Sequence, residues 1–278
     1  MEVLVLVEGK LDADVLGAVL QGICSVRAAG SKDQLAARAR TLAEERPKGP
    51  RVFYVRDRDF DYRPPTDTEA PSVDRRWENA DVLGWRWARH SIENYMLDPA
   101  IVAKATGLDS SSLGSELVRK ARVIRHYQAA RFAVAAARAQ LPPRHRLATA
   151  PGEVEDHEFR LPLRMDDAAM REWCVRQVGT FRESLAPSLE DSFVTGRYCK
   201  HLGTFSDEFV GDATRPLVWF SGKDLFAALA EWLSGRGLSP GSLRARVRDF
   251  MQRNLATVLE TFPEWNALRE SLREVRGE

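Results

Sequence analysis

Val3-Leu4-Val5-Leu6-Val7, which runs into Glu8-Gly9-Lys10, and Val52-Phe53-Tyr54-Val55, which runs into Arg56-Asp57-Arg58-Asp59-Phe60-Asp61, decide the fold. Each apolar run is short, rich in β-branched residues and bounded by breakers, so each reads as a buried strand of an α/β sheet. In open parallel sheets, ligands sit in the crevice beyond the carboxyl ends of the strands. Glu8 ends the first run, and the Asp57-x-Asp59 pair ends the other. On an extended backbone positions i and i+2 face the same way, which predicts that Asp57 and Asp59 point to one side together. Three carboxylates in one cleft repel one another unless protons or a cation intervene. A hard divalent ion with oxygen ligands, Mg²⁺ above all, meets that need.

Between and after these runs the chain alternates strand and helix. The pattern predicts a helix over about 11–20, a strand at Ser25-Val26-Arg27-Ala28, and a helix opened by Ser31-Lys32-Asp33-Gln34 and stopped by Pro47-Lys48-Gly49-Pro50. That order implies right-handed crossovers and a mainly parallel sheet. Residues 61–80 read as a polar, proline-bearing loop. Asp81 to Trp87 reads as a further strand, Ser91 as the cap of a short helix carrying Glu93, and Asp98-Pro99 as another helix start. From about 112 to 140 runs one long Ala- and Arg-rich helix, ended by Pro142-Pro143 and followed by a polar linker over about 141–165. Helices are expected over 166–185, 189–202, 223–233, 240–259 and 263–275, with Leu217-Val218-Trp219-Phe220 as a strand. The expected organisation is a domain over 1–105 and a mostly helical region over 106–278.

The motifs, in this order on predicted strands, resemble the TOPRIM fold of topoisomerases, primases and OLD-type nucleases. Val7-Glu8-Gly9-Lys10-Leu11-Asp12 and Arg56-Asp57-Arg58-Asp59 carry the likeness. His90-Ser91-Ile92-Glu93-Asn94-Tyr95-Met96-Leu97 and Phe220-Ser221-Gly222-Lys223-Asp224-Leu225 narrow it to AriB-like effector subunits of the PARIS anti-phage system. The likeness covers residues 1–105 by element order as well as motif. The resemblance implies a TOPRIM-type, mainly parallel sheet flanked by helices and a Mg²⁺-dependent nuclease. It implies a toxin restrained by an ABC-type ATPase partner until a phage protein triggers release, which then attacks tRNA ahead of DNA. A homodimer on release follows from the same analogy. The matching glutamate, Glu8, is then a general acid/base or a metal ligand. Asp57 and Asp59 are metal ligands, directly or through water, and Asp61 continues the alternation as a weaker candidate. Glu93 either completes a second metal position or belongs to a structural motif at the sheet edge. Tyr95 reads as core.

Lys10 and Lys223 follow glycines at helix starts, where amides and a cation hold phosphates. Lys223 is thereby a candidate for contact with the transition state or the backbone, against a solvated first-turn lysine. No Gly-x-x-x-x-Gly-Lys-Ser/Thr occurs, which excludes a P-loop motor. Arg56 and Arg58 fit phosphate contacts or neutralising partners of the aspartates. Between Leu113 and Arg146 stand Arg119, Lys120, Arg122, Arg125, Arg131, Arg138, Arg144 and Arg146 against the single acid Glu116. This face either meets nucleic acid, Arg119, Lys120, Arg122 and Arg125 leading, or is simply solvated. Trp77, Trp85, Trp87 and Tyr127 carry no assignable base-stacking pattern, and Trp173, Trp219, Trp232 and Trp265 read as core or interface anchors.

At 278 residues the chain can hold one large domain or two modest ones, and its net charge of +1 names no partner. No apolar stretch reaches the length needed to cross a bilayer. Met1 leads directly into a strand, so no signal or transit peptide is expected, and the expected location is the cytoplasm. Cys24, Cys174 and Cys199 form no Cys-x-x-Cys pair and read as reduced thiols. His90, His126, His145, His157 and His201 lack zinc-ligand spacing. An interaction subunit that binds nucleic acid or protein without turnover is the alternative to the nuclease.

Overall fold

A computed structural model of the chain describes residues 2–45, 49–75, 82–139, 153–155, 158–184 and 190–277. Trp77, Arg144, Arg146, the Pro142-Pro143 stop and most of the 141–165 linker lie outside the described residues. Two compact units emerge: residues 1–58, 64–110 and 241–278 form one, and 59–63 with 111–240 form the other. Helices from 241 onward, which the sequence groups with the helical region, thus pack within the first unit.

In the first unit β1 (Val3–Val7), α1 (Lys10–Val19), β2 (Ser25–Ala28), α2 (Lys32–Glu45) and β3 (Arg51–Arg56) follow one another as the apolar runs require. After them come β4 (Ser72–Arg75), β5 (Val82–Arg86), α3 (Ile92–Met96) and α4 (Pro99–Thr106). The fold class is α/β. One five-stranded sheet has the order β2-β1-β3-β5-β4, parallel throughout except for β4, which runs antiparallel to β5 at the edge. Val3, Val5, Leu6 and Val7 are buried, as a strand flanked on both sides by other strands and on both faces by helices must be. On one face Leu35 and Ala39 of α2 pack against Leu6 and Tyr54.

β4 falls inside the segment read as a loop. Ser72-Val73-Asp74-Arg75 carries too little apolar character to announce a strand, and its partners are ionic instead. Asp74 accepts from the Arg86 guanidinium at 2.5 Å, from Arg56 at 2.6 Å and from the Tyr54 hydroxyl at 3.0 Å. Gly84 on β5 makes room for this arrangement, because a Cβ there would lie 2.3 Å from the Tyr54 carbonyl oxygen and 2.6 Å from its ring.

The second unit holds α5 (Ser110–Arg138), the hairpin of β6 (Glu153–Glu155) and β7 (Glu158–Arg160), α6 (Asp167–Ser184), α7 (Asp191–Thr204), α8 (Thr214–Trp219) and α9 (Gly222–Ser234). α10 (Pro240–Arg253), α11 (Leu255–Thr261) and α12 (Pro263–Arg276) complete the chain. The expected strand at 217–220 is helix. A short apolar run does not by its periodicity distinguish a strand from a buried helical turn. Here Pro216 sits in the first turn, where its missing N–H costs nothing, and Phe220 N donates to the Pro216 carbonyl at 2.8 Å. The single helix expected over 240–259 is two. Asn254 leaves helical geometry at φ −125°, ψ 51° while its side-chain amide donates to the Phe250 carbonyl at 2.8 Å. That local bond competes with continuation of the helix. No helix among the described residues is long and apolar enough to cross a membrane.

Gly84→Ala is expected to lower stability by about 1–3 kcal/mol through overpacking against backbone. The urea unfolding midpoint, compared with that of Gly17→Ala, where a Cβ meets nothing within 4 Å, checks it.

Candidate functional site

Glu8 and Asp57 follow the carboxyl ends of the neighbouring parallel strands β1 and β3, and Glu93 is the second residue of α3. Glu8 follows β1 directly, and one of its carboxylate oxygens accepts from the Asp57 amide at 3.2 Å. Asp57 follows β3, is buried, and its own carboxylate accepts from the Ile92 amide at 3.2 Å. Ile92 is the first residue of α3, so Asp57 satisfies a helix-terminal donor that has no intrahelical partner. Glu93 comes next and is 5% exposed. The strand end, the aspartate and the short helix are therefore linked by two hydrogen bonds from Glu8 to the start of α3.

α3 is held in place from every side. Ser91 donates its amide (3.1 Å) and its hydroxyl (2.9 Å) to the Asn94 side-chain oxygen, which closes the helix start. Arg89 pairs with Asp98 at 2.8 Å, donates to the Asn94 carbonyl at 3.0 Å and covers the Tyr95 ring at 4.9 Å. Trp87, Tyr95, Phe262 and Trp265 interlock, with centroids 4.9–5.9 Å apart. Among them stands Glu264, 2% exposed, which accepts from the Ala88 amide at 2.6 Å and from the Tyr95 hydroxyl. Burial pushes the Glu264 carboxyl up to about 7, against the pull of those two donors and of Arg89. Burial likewise raises the Tyr95 hydroxyl, with the Glu264 charge adding to it. Tyr95 is core, as the sequence reads it.

Glu264 has no sequence signal of its own. Directly after Pro263 in a first helical turn it looks like any acid that favours the helix dipole.

The extended strand on which the expected shared side of Asp57 and Asp59 rests does not reach them. The strand ends at Arg56, and Asp59 lies in a turn with φ +50°, the one non-glycine residue at positive φ among those described. An extended-strand alternation therefore does not extend past Arg56. Asp61 pairs with Arg138 at 2.6 Å. Arg56 is engaged by Asp74, and Arg58 is 1% exposed with Nε donating to the Ala88 carbonyl at 3.3 Å. Both arginines thus serve the sheet edge and the Ala88 loop in this structure. Lys10 is exposed at the first position of α1.

In the second unit Lys223 is exposed on α9, whereas the next residue, Asp224, is 1% exposed and bonded to Arg131. Lys223 and the first unit's carboxylates belong to different units. The basic face of α5 has acidic partners, and apart from Glu116 these come from outside the helix. Arg119 pairs with Glu116 at 2.5 Å, Arg125 with Asp207 at 2.8 Å, Arg138 with Asp61, and Lys120 stands 3.9 Å from both Glu116 and Glu231. Arg122 is exposed.

The donors at the first unit's strand ends, Glu8 and Asp57, are carboxylates and so chemically suited to Mg²⁺. Among the described residues no three His, Cys, Asp or Glu side chains gather closely enough to hold a metal ion. Mg²⁺ does not require such a cage, because one or two carboxylates with waters and substrate phosphates suffice. The residues fit the ion as a partial, substrate-completed site. No protein-family model and no curated protein matches the chain.

The Glu264 carboxyl has a testable consequence. Its folded value is raised, so its stabilising contribution is present below its ordinary value of 4.5 and is lost as pH rises to about 7. Unfolding free energies from urea titrations are expected to fall across that window with a slope of at most about 1.4 kcal/mol per pH unit. Glu264→Gln retains an acceptor for the Ala88 amide and is expected to flatten that slope.

Proposed function

We propose that the first unit is a Mg²⁺-dependent TOPRIM-type nuclease centre that cleaves phosphodiester bonds. The hydrogen-bonded run from Glu8 through Asp57 to the start of α3 carries this reading. It ties the carboxylates at two neighbouring strand ends to each other and to the start of a short helix, at the carboxyl end of a parallel sheet where ligands bind. Asp57 and Glu8 are the residues that would hold the ion, and Glu93, one residue after Ile92, is the further candidate. Bound there, the ion supplies charge neutralisation of a scissile phosphate and of the departing oxygen. Glu8 is only partly buried and is the group placed to hold or move the proton of an attacking water or ribose hydroxyl. The Asp57–Ile92 bond fixes the Asp57 carboxylate so that no reorganisation is needed on substrate entry. The resemblance to AriB-like effectors supports tRNA ahead of DNA as substrate. It likewise supports an ABC-type ATPase as the restraining partner, a homodimer on release, and anti-phage defence in the cytoplasm as the setting.

A second reading has an observation in its favour. Glu8 and Asp57 each accept a backbone amide, the work of structural carboxylates, and three metal-binding groups do not gather among the described residues. On that reading the chain is a TOPRIM-like interaction subunit, inert as an enzyme, that recognises nucleic acid or a partner protein.

Purified protein incubated with total tRNA, and in parallel with plasmid DNA, distinguishes the two. The nuclease reading expects cleavage of one substrate with Mg²⁺, none with EDTA, and a loss of about 10²–10⁴-fold in Glu8→Ala, the range for a general acid/base. Asp57→Asn is expected to lose activity as well. Survival of both substrates with the wild-type protein, or equal cleavage by Glu8→Ala, would favour the interaction subunit.

A further inference from the structure

Two stretches that stand out in the sequence, the turn over 59–61 and Ser221-Gly222-Lys223-Asp224-Leu225, are 160 residues apart at their nearest ends. Within the second unit they meet on one face of α5. Asp224 is buried and accepts from the Arg131 guanidinium, from the Gln128 side-chain amide at 2.8 Å and from the Tyr127 hydroxyl at 3.5 Å. Gln128 in turn accepts from the Ser221 amide at 3.2 Å, and Ser221 caps α9 by accepting from the Asp224 amide. Asp224 thus gives the Arg131 guanidinium a buried, charge-assisted anchor.

From that anchor Arg131 reaches the turn. Its guanidinium carbon lies 4.3 Å above the Phe60 ring, and Phe60 meets Phe132 edge-on at 4.8 Å. Two turns further along α5, Arg138 holds Asp61 at 2.6 Å. Phe60 and Asp61 directly follow Asp59, the residue at φ +50°, and the Asp59 charge reaches Arg131 and favours its protonated form. A conformation that an L-residue adopts at a cost persists only where its neighbours over-determine it. The contacts of Phe60 and Asp61 do that here.

We propose that Arg131 and Asp224 are positioning residues for the Asp59 turn: Asp224 fixes Arg131, and Arg131 fixes Phe60 and thereby the Asp59 backbone. On this account the functional group of the Ser-Gly-Lys-Asp-Leu segment is Asp224, acting through Arg131, and not the exposed Lys223. This positioning stands independently of the nuclease reading.

Hydrogen exchange followed by mass spectrometry tests the positioning without any activity. In Phe60→Leu and Arg138→Gln, and in Asp224→Asn if it folds, the peptide spanning 57–63 is expected to exchange at least about tenfold faster, equivalent to about 1.4 kcal/mol. Peptides from β1 and β2 are expected to keep their wild-type rates. Arg131→Lys, which keeps the charge and loses the planar fork, is expected to fall between. Wild-type exchange at 57–63 in folded variants, or faster exchange that merely tracks β1 and β2, would overturn the proposal. Cleavage assays on the same variants separate the two ideas. If the wild-type protein cleaves nothing, the nuclease reading falls and the exchange data still decide the positioning. If it cleaves, the exchange data decide the positioning all the same.

Discussion

A buried carboxylate has to be answered by hydrogen-bond donors, and in the first unit Asp57 sets that requirement. An ion removed from water without compensation costs several kcal/mol even after the protein relaxes. The Ile92 amide, an orphan donor at a helix start, answers it. Once that bond exists, α3 must begin where β3 ends, and the loop from Trp87 to Ser91 must turn to bring it there. The Asn94 cap, the Arg89–Asp98 pair and the Glu264 bonds to Ala88 and Tyr95 all act on the same few residues. Each removes an alternative place for Ile92. The position of Glu93 is then a by-product of where Ile92 has been fixed.

The sheet was legible because its signals are local. Val3–Val7 and Val52–Val55 carry β-branched character and breakers at both ends, and the capping residues before α3 and α4 name themselves. Glu8 and Asp57 could be placed at strand ends for the same reason. What the sequence could not show depends on partners far along the chain. β4 is held by Asp74 to arginines on two other strands, so its stability is ionic and leaves no apolar pattern. Asp59 sits three residues past the end of the strand's alternation at Arg56, in a turn at positive φ that the alternation does not announce. The 217–220 segment was misread because four apolar residues suit a buried helix turn as well as a strand.

Charge along α5 shows the same limit. Read linearly, its arginines face a single glutamate and suggest an unbalanced basic surface. Folded, Arg125, Arg131 and Arg138 find Asp207, Asp224 and Asp61, which come from three separate segments. Exposed members of such pairs contribute little to stability, while the buried Arg131–Asp224 pair constrains geometry more than it adds energy. Linear charge asymmetry therefore overstates the positive field that a passing phosphate would meet.

The first unit is discontinuous in sequence, and this bears on the order of events as the chain is made. The carboxylate that fixes Ala88 and Tyr95 is supplied by Glu264, 176 residues after Ala88. At ordinary translation rates that separation is roughly ten to thirty seconds. During this interval β1, β3 and α3 have emerged while their aromatic cluster still lacks Phe262 and Trp265. A nascent chain that stops early would carry Glu8, Asp57 and Glu93 without the latch that holds them in register. Premature termination would thus yield fragments with every residue of the candidate site and no ordered site.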